Sequence, residues 1–325
     1  MDNKIFISTA CLKGDKSYER VLNTFVDNDI FNIELTGVHP HTSKTSLEKI
    51  IRKFQKKKVN FTFHNYFPPP KKPIVLNFLT RNKDLQAKCK KIIKESISLA
   101  KKLNVSTYAF HPGYLREADV SLKGYFNFHG KKRLSYDKAI NLFEKEFFNF
   151  YKTLKIDKKN QNTFLGLENL FPNPDGSNDS FMCTFDEINK LFSSKNFCNT
   201  NLCLLIDLGH LAIASNKLVF NRYEFLEKVV DKFGDRIFEI HISNNDEISD
   251  LHNRITKKSW QLDALKYFKN SGKLVGKKIP ESIKIVDGLY FGGDFDVVKN
   301  LIEAKEISKK NIRFFAGYTG WESNQ

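Results

Sequence analysis

The chain reads as an α/β protein: a (β/α)8 barrel whose eighth βα unit is replaced by a C-terminal segment of different character. Three observations predict this. Seven short runs rich in Ile, Val, Phe and Leu, at residues 4–8, 30–35, 59–63, 105–110, 164–167, 202–206 and 237–242, are too short for buried helices and are bounded by polar or turn residues. Longer amphipathic stretches separate them, so strand and helix alternate, the pattern of parallel βα units. In 325 residues the usual closed form of that pattern is a barrel. Near residue 275 the texture changes.

The first run leads into Ser8-Thr9-Ala10-Cys11-Leu12-Lys13-Gly14, which is not the glycine-rich phosphate turn of a doubly wound open sheet, the alternative topology. Residues 47–57 place Leu47, Ile50, Ile51 and Phe54 on one helical face. Residues 84–103 do the same with Leu85, Cys89, Ile92, Ile93, Ser96, Leu99, Ala100 and Leu103, and 136–154 and 223–233 follow suit. Residues 65–73 contain Pro68-Pro69-Pro70 and must be a stiff loop. Residues 114–134, rich in glycine, aromatic and basic side chains, read as a second long loop. Both follow strands and so belong to the face where a barrel carries its chemistry. Beyond residue 275 come an apolar run at 282–294, a helix-like 295–304 and a glycine-aromatic stretch at 311–318. The division expected is a barrel domain at 1–275 and a C-terminal fragment at 276–325.

Lys and Arg number 53 against 37 Asp and Glu, a formal charge of +16. Only nine of the 53 are Arg, the residue favoured for bidentate phosphate contacts, so the excess reads first as compositional drift toward Lys. No run approaches the roughly 20 apolar residues of a membrane span, and no secretory leader is visible. Five scattered cysteines without a CxxC pair suit reduced thiols and a cytoplasmic location.

Polar residues at the ends of the apolar runs carry the chemistry. Strand three runs into His64, strand four into His111, strand five ends at Glu168, strand six at Asp207 and strand seven at His241. His210 follows in the Asp207-Leu208-Gly209-His210 turn, and Asp250 and His252 lie in the loop after strand seven. In a parallel barrel these ends converge on one mouth, and imidazole and carboxylate donors from several rigid strands are what a divalent cation needs. Glu34, ending strand two, reads instead as a helix cap outside the site; His39 and His41 read as rim residues.

The motifs Phe63-His64-Asn65-Tyr66, Phe110-His111-Pro112-Gly113, Leu167-Glu168-Asn169, Ile206-Asp207-Leu208-Gly209-His210, Ile240-His241-Ile242-Ser243-Asn244-Asn245-Asp246 and Asp250-Leu251-His252 resemble the xylose isomerase-like TIM barrels (AP endonuclease family 2), which include endonuclease IV and many sugar-phosphate isomerases and epimerases. The resemblance implies a divalent metal (Zn, Mn, Mg or Co), held in the epimerase branch by Glu168, Asp207 and His241. In the endonuclease branch it implies His64 and His111 with Glu168 at one zinc, and His210, Asp250 and His252 at another. The family's ligand Glu on strand eight has no counterpart, Asp287 being a weak substitute if the run before it closes the barrel. Residues 282–294 and Ile312-Arg313-Phe314-Phe315-Ala316-Gly317-Tyr318-Thr319-Gly320-Trp321 are instead similar to the C-terminal part of the YqgE/AlgH family.

The expected function is a metal-dependent isomerase or epimerase of a sugar or sugar phosphate. Glu168 serves as ligand and acid/base, His210 takes part in catalysis, and His64, His210 and Asn169 contact substrate. Lys and Arg of the two long loops orient hydroxyls or phosphate. The alternative is an endonuclease IV-like zinc phosphodiesterase acting at abasic sites in DNA. The loop after strand two, Thr36-Gly37-Val38-His39-Pro40-His41, has no Arg for an opened duplex, which weighs against DNA. A third, non-enzymatic outcome is an incomplete barrel with an exposed strand edge.

Overall fold

The computed structural model describes residues 5–12, 14, 16–120, 126–129, 133–156, 163–173, 177–198, 200–268, 283–286, 289–291 and 316–317. Each of the seven apolar runs forms a strand: β1 (Phe6–Ser8), β2 (Asn32–Leu35), β3 (Asn60–His64), β4 (Thr107–Phe110), then, beyond a hairpin described below, β7 (Phe164–Glu168), β8 (Leu202–Asp207) and β9 (Ile237–Ile242). Three of them extend one residue past the apolar run and so take in His64, Glu168 and Asp207 as strand residues. With one further strand, β12 (Ala316–Gly317), they pair in parallel in the circular order β1, β12, β9, β8, β7, β4, β3, β2, and the barrel is closed.

The closing strand is β12 (Ala316–Gly317), which pairs β1 at Phe6 and β9 at His241. The C-terminal segment therefore supplies strand eight itself, and the exposed edge of an incomplete barrel does not arise. The apolar run before Asp287 is not that strand: β10 (Ile283–Val286) pairs antiparallel with β11 (Leu289–Phe291) in a separate hairpin. Asp287 lies outside the described residues. Residues 114–134, expected as a loop, contain an antiparallel hairpin of β5 (Glu117–Val120) and β6 (Phe126–His129).

Helices α1 (Tyr18–Val26), α2 (Lys44–Gln55), α3 (Lys83–Leu103), α4 (Tyr136–Thr153), α5 (Phe185–Phe192), α6 (Leu208–Lys217), α7 (Arg222–Phe233) and α8 (Trp260–Phe268) run between the strands. Local chemistry sets their starts. Ser17, Ser43, Asn82, Thr184, Asp207 and Asn221 each accept a hydrogen bond from a backbone N–H of the first turn, satisfying donors that the helix itself cannot. Helix α3 stops at Asn104, in left-handed conformation at φ 53°. Its inward residues Cys89, Ile93, Leu99 and Ala100 are fully buried against the barrel.

Phenylalanine fills the layer between strands and helices. Phe78, Phe110, Phe143, Phe147, Phe181 and Phe197 are wholly buried and meet ring to ring, with centroids 4.9 Å apart for Phe143–Phe147 and 5.1 Å for Phe78–Phe147. Burial contributes about 1.5–3 kcal/mol per side chain of this size. That rigid layer holds the strand ends in place.

Candidate metal centre

Parallel pairing brings the C-terminal strand ends to one rim, and the register aligns them: Asp207 pairs with His241, His64 with Ala109, and Glu168 with Leu205. Glu168 stands at the middle. Its Oε2 lies 3.1 Å from His111 Nε2 and 3.3 Å from His64 Nε2; its Oε1 lies 3.3 Å from His210 Nδ1 and 3.6 Å from His241 Nδ1. Asp207 divides its carboxylate. Oδ1 accepts the His210 N–H at 2.8 Å and caps α6, while Oδ2 lies 3.5 Å from His241 Nδ1. Asp207-Leu208-Gly209-His210 is therefore the start of a helix, where the sequence reads as a turn.

Asp250 and His252 approach from the loop after β9. Asp250 Oδ2 lies 2.9 Å from His252 Nε2 and 3.5 Å from His210 Nε2, so this pair joins the rim through His210. His111 is aimed by Asn65, whose Nδ2 lies 3.3 Å from His111 Nδ1. Asn169, expected to contact substrate, bonds to the backbone of Asp207. Its Oδ1 accepts from the Asp207 N–H at 2.7 Å and its Nδ2 donates to the Asp207 carbonyl at 3.1 Å, bracing the end of β8 while wholly buried.

Glu34 requires a correction. It caps no helix: Ser43 caps α2, and Glu34 is fully buried with Oε2 2.9 Å from His241 Nε2. Glu239, which drew no attention in the sequence, also faces this nitrogen, with Oε1 at 3.5 Å. The signal for Glu239 was present, because a residue two before His241 in a strand shares its face. His39 and His41 bond to the carbonyls of Thr9 and Pro69 at 3.0 and 2.8 Å. Arg116 and Arg133, in the second of the two long loops, both lie against the buried Asp179 at 3.4 and 3.5 Å.

The electrostatics follow from burial and neighbours. Burial opposes ionisation of Glu168, yet the imidazoles of His64, His111 and His210 hold its carboxyl well below the usual carboxylate range. Burial pushes His64 down to about 4 against the pull of Glu168 and Glu34. For His210, Asp207, Asp250 and Glu168 overcome burial and raise the imidazole to about 10. His241 also rises well above its ordinary value, because Glu34, Asp207, Glu168 and Glu239 outweigh burial.

Among the described residues, three sets of side chains bring donor atoms within 4.8 Å of one another: Glu34, His64 and His241; His64, His111 and Glu168; and Glu168, Asp207 and His241. These donors fit a divalent cation. They are nitrogen and oxygen atoms at or just beyond strand ends, and Glu34 Oε1 and Glu239 Oε2 are buried without a hydrogen-bond partner.

Comparison with known proteins places this arrangement. A family model described as xylose isomerase-like TIM barrel matches residues 27–258, and one described as AlgH-like matches 261–325. A D-tagatose 3-epimerase-like protein superposes with a TM-score of 0.60 at 17% identity, covering 93% of this chain and 96% of that one. D-Psicose 3-epimerase from Clostridium cellulolyticum H10 gives 0.58 at 11% identity, covering 83% and 81%. A UPF0301 protein of Cytophaga hutchinsonii is 45% identical over 47 residues, 14% of this chain. The chain spans about a quarter of the length of that relative, at 26%. At such low identities the solved structures speak for the fold alone, whereas the first family model covers most of the sequence. The chain belongs to the xylose isomerase-like TIM-barrel family.

Proposed function

We propose that the chain is a divalent-metal-dependent isomerase or epimerase of a sugar or sugar phosphate. The observation that carries this reading is the placement of Glu168, one buried carboxylate shared between the His64–His111 side and the Asp207–His241 side of the rim. Glu168, Asp207 and His241 would hold the cation. A bound divalent cation supplies Lewis acidity there, polarising a carbonyl and easing loss of the proton on the neighbouring carbon. Glu168 is kept ionised by the imidazoles around it, the form in which a carboxylate acts as a base, although the same imidazoles make it a weaker one. His210 is fixed by the Asn169 carbonyl, 2.9 Å from its Nδ1, which turns Nε2 toward Asp250. Phe171 packs on the His210 ring at 4.6 Å and shares an apolar cluster with Tyr114, Phe126 and Phe128, shielding that side from water. Cysteines without disulfides suit a reducing, cytoplasmic setting. Among the described residues no helix is long and apolar enough to cross a membrane.

The test is solvent exchange. The metal-loaded chain, incubated in D2O with ketoses and their phosphates, is expected to place deuterium on the carbon beside the carbonyl and to yield the epimer or isomer. Glu168→Gln is expected to abolish both. Absence of exchange with every ketose and ketose phosphate would sink the reading.

A second reading, an endonuclease IV-like zinc phosphodiesterase, is favoured by Asp250 lying between His210 and His252 beside the His64–His111–Glu168 set. Two or three zinc ions per chain and nicking of an abasic-site duplex would select it; one ion and no nicking would dismiss it.

A further inference from the structure

His241 presents its two nitrogens to different partners. Nδ1 looks toward Asp207 Oδ2 and Glu168 Oε1, at 3.5 and 3.6 Å. Nε2 lies 2.9 Å from Glu34 Oε2, a hydrogen-bond distance, with Glu239 Oε1 farther off at 3.5 Å. A neutral imidazole carries one proton. If Nδ1 gives its lone pair to a cation between Glu168 and Asp207, the proton sits on Nε2 and needs an acceptor.

Glu34 is built to be that acceptor. It lies on β2 between β1 and β3, its backbone paired with Ser8 on one side and Thr62 on the other. Its side chain is 1% exposed, so no water competes for the imidazole. Ser8 and His64 are its other neighbours, and of the two carboxylate oxygens facing His241 Nε2 its Oε2 is the nearer.

We propose that Glu34 is a positioning residue of the metal centre: it takes the Nε2 proton of His241, fixes the ring and its tautomer, and leaves Nδ1 for the cation. The proposal rests on the reading that Glu168, Asp207 and His241 hold the ion. It is independent of whether the substrate is a sugar or a phosphodiester.

The full-length chain, stripped of metal, is titrated with Co2+ and followed by visible absorption, with affinity set by chelator competition. Glu34→Ala is expected to bind Co2+ about 10–100-fold more weakly, the usual cost of losing a carboxylate behind a ligating histidine, and to shift the absorption band. Glu34→Gln keeps an oxygen that accepts the Nε2 proton. It is expected to stay within about tenfold of wild type and to retain the band. Wild-type affinity and band in Glu34→Ala would overturn the proposal. So would loss of a second equivalent of Co2+ with the first unchanged, which would make Glu34 a ligand of its own ion. Should Glu34→Ala not fold, 15N histidine spectra of the Zn2+-loaded wild type decide, with the His241 signal assigned by its absence in His241→Ala. An Nε2–H tautomer supports the proposal and an Nδ1–H tautomer overturns it. If His241→Ala binds Co2+ as wild type does, the reading of the centre itself fails, a result separate from any effect at Glu34.

Discussion

Glu168 Oε2 lies 3.1 Å from His111 Nε2, closer than it comes to His64, and both contacts are made inside a site where Glu168 is 1% exposed. A carboxylate so placed is both the common donor of two ligand sets and the counter-charge to the imidazoles around it. Glu168→Ala is therefore expected to fail twice. Divalent cation affinity should fall by more than about 100-fold, beyond the loss typical of supporting residues. Stability of the metal-free chain should fall by about 3–5 kcal/mol, since removal of one partner leaves buried charge uncompensated. Equilibrium dialysis with metal analysis reads the first and denaturant unfolding the second. A variant that keeps its full metal content would show that the rim does not act as one set.

Metal uptake should depend on pH with a definite sign. His210 is raised to about 10, and His241 also lies well above its ordinary value, so both carry protons at neutral pH in the metal-free chain. A cation that takes Nδ1 of His241 must displace the proton there, hence affinity rises from pH 6 to pH 9 and binding releases protons. Titration calorimetry in two buffers of different ionisation enthalpy measures that release, and equal heats in both would contradict it. Without metal the linkage runs the other way. The stabilisation from the raised His210 is full below its ordinary value of 6.5 and is lost as pH climbs through about 10.

Gly209 owes its place to space. A Cβ there would meet Ser243 Oγ and come within 3.1 Å of Asp207 Oδ1, so Gly209→Ala must move one of them. The expected cost is about 1–3 kcal/mol of stability, with weaker metal binding because Asp207 is displaced. Thermal unfolding with and without Co2+ separates the two effects. Wild-type behaviour in both would mean that the rim yields more easily than its packing implies.

The barrel was legible because its strands are short, apolar and ended by titratable side chains. His64, Glu168, Asp207 and His241 punctuate the pattern one after another, and the structure makes them neighbours. What escaped has physical causes. Helix α6 is buried all round, from Leu208 to Ser215, so it shows no amphipathic stripe. Glu34 resembled a cap because its partner, His241, lies 207 residues away in sequence. Asn169 reads as a substrate contact, and its two bonds to Asp207 become visible only once β7 and β8 lie side by side. Strand β12 is two residues long, one of them glycine, and no periodicity can mark so short a strand.

The shortness of β12 gives the last prediction. Ala316 pairs with His241 and with Phe6, so this strand both closes the barrel and lies beside a residue of the candidate centre. Residues 276–325 are accordingly proposed to act as part of the barrel, although an AlgH-like model matches them. A chain ending at residue 275 lacks β12 and presents β1 and the six-residue β9 as unpaired edges, templates for pairing with other chains. It is expected to self-associate on size exclusion, to lose its cooperative thermal transition, and to bind Co2+ weakly because His241 loses its flanking strand. If the shortened chain stays monomeric, melts like the full-length protein and keeps its Co2+ affinity, then the C-terminal residues are an appendage, and the barrel is held closed by contacts between β1 and β9 that form only in their absence.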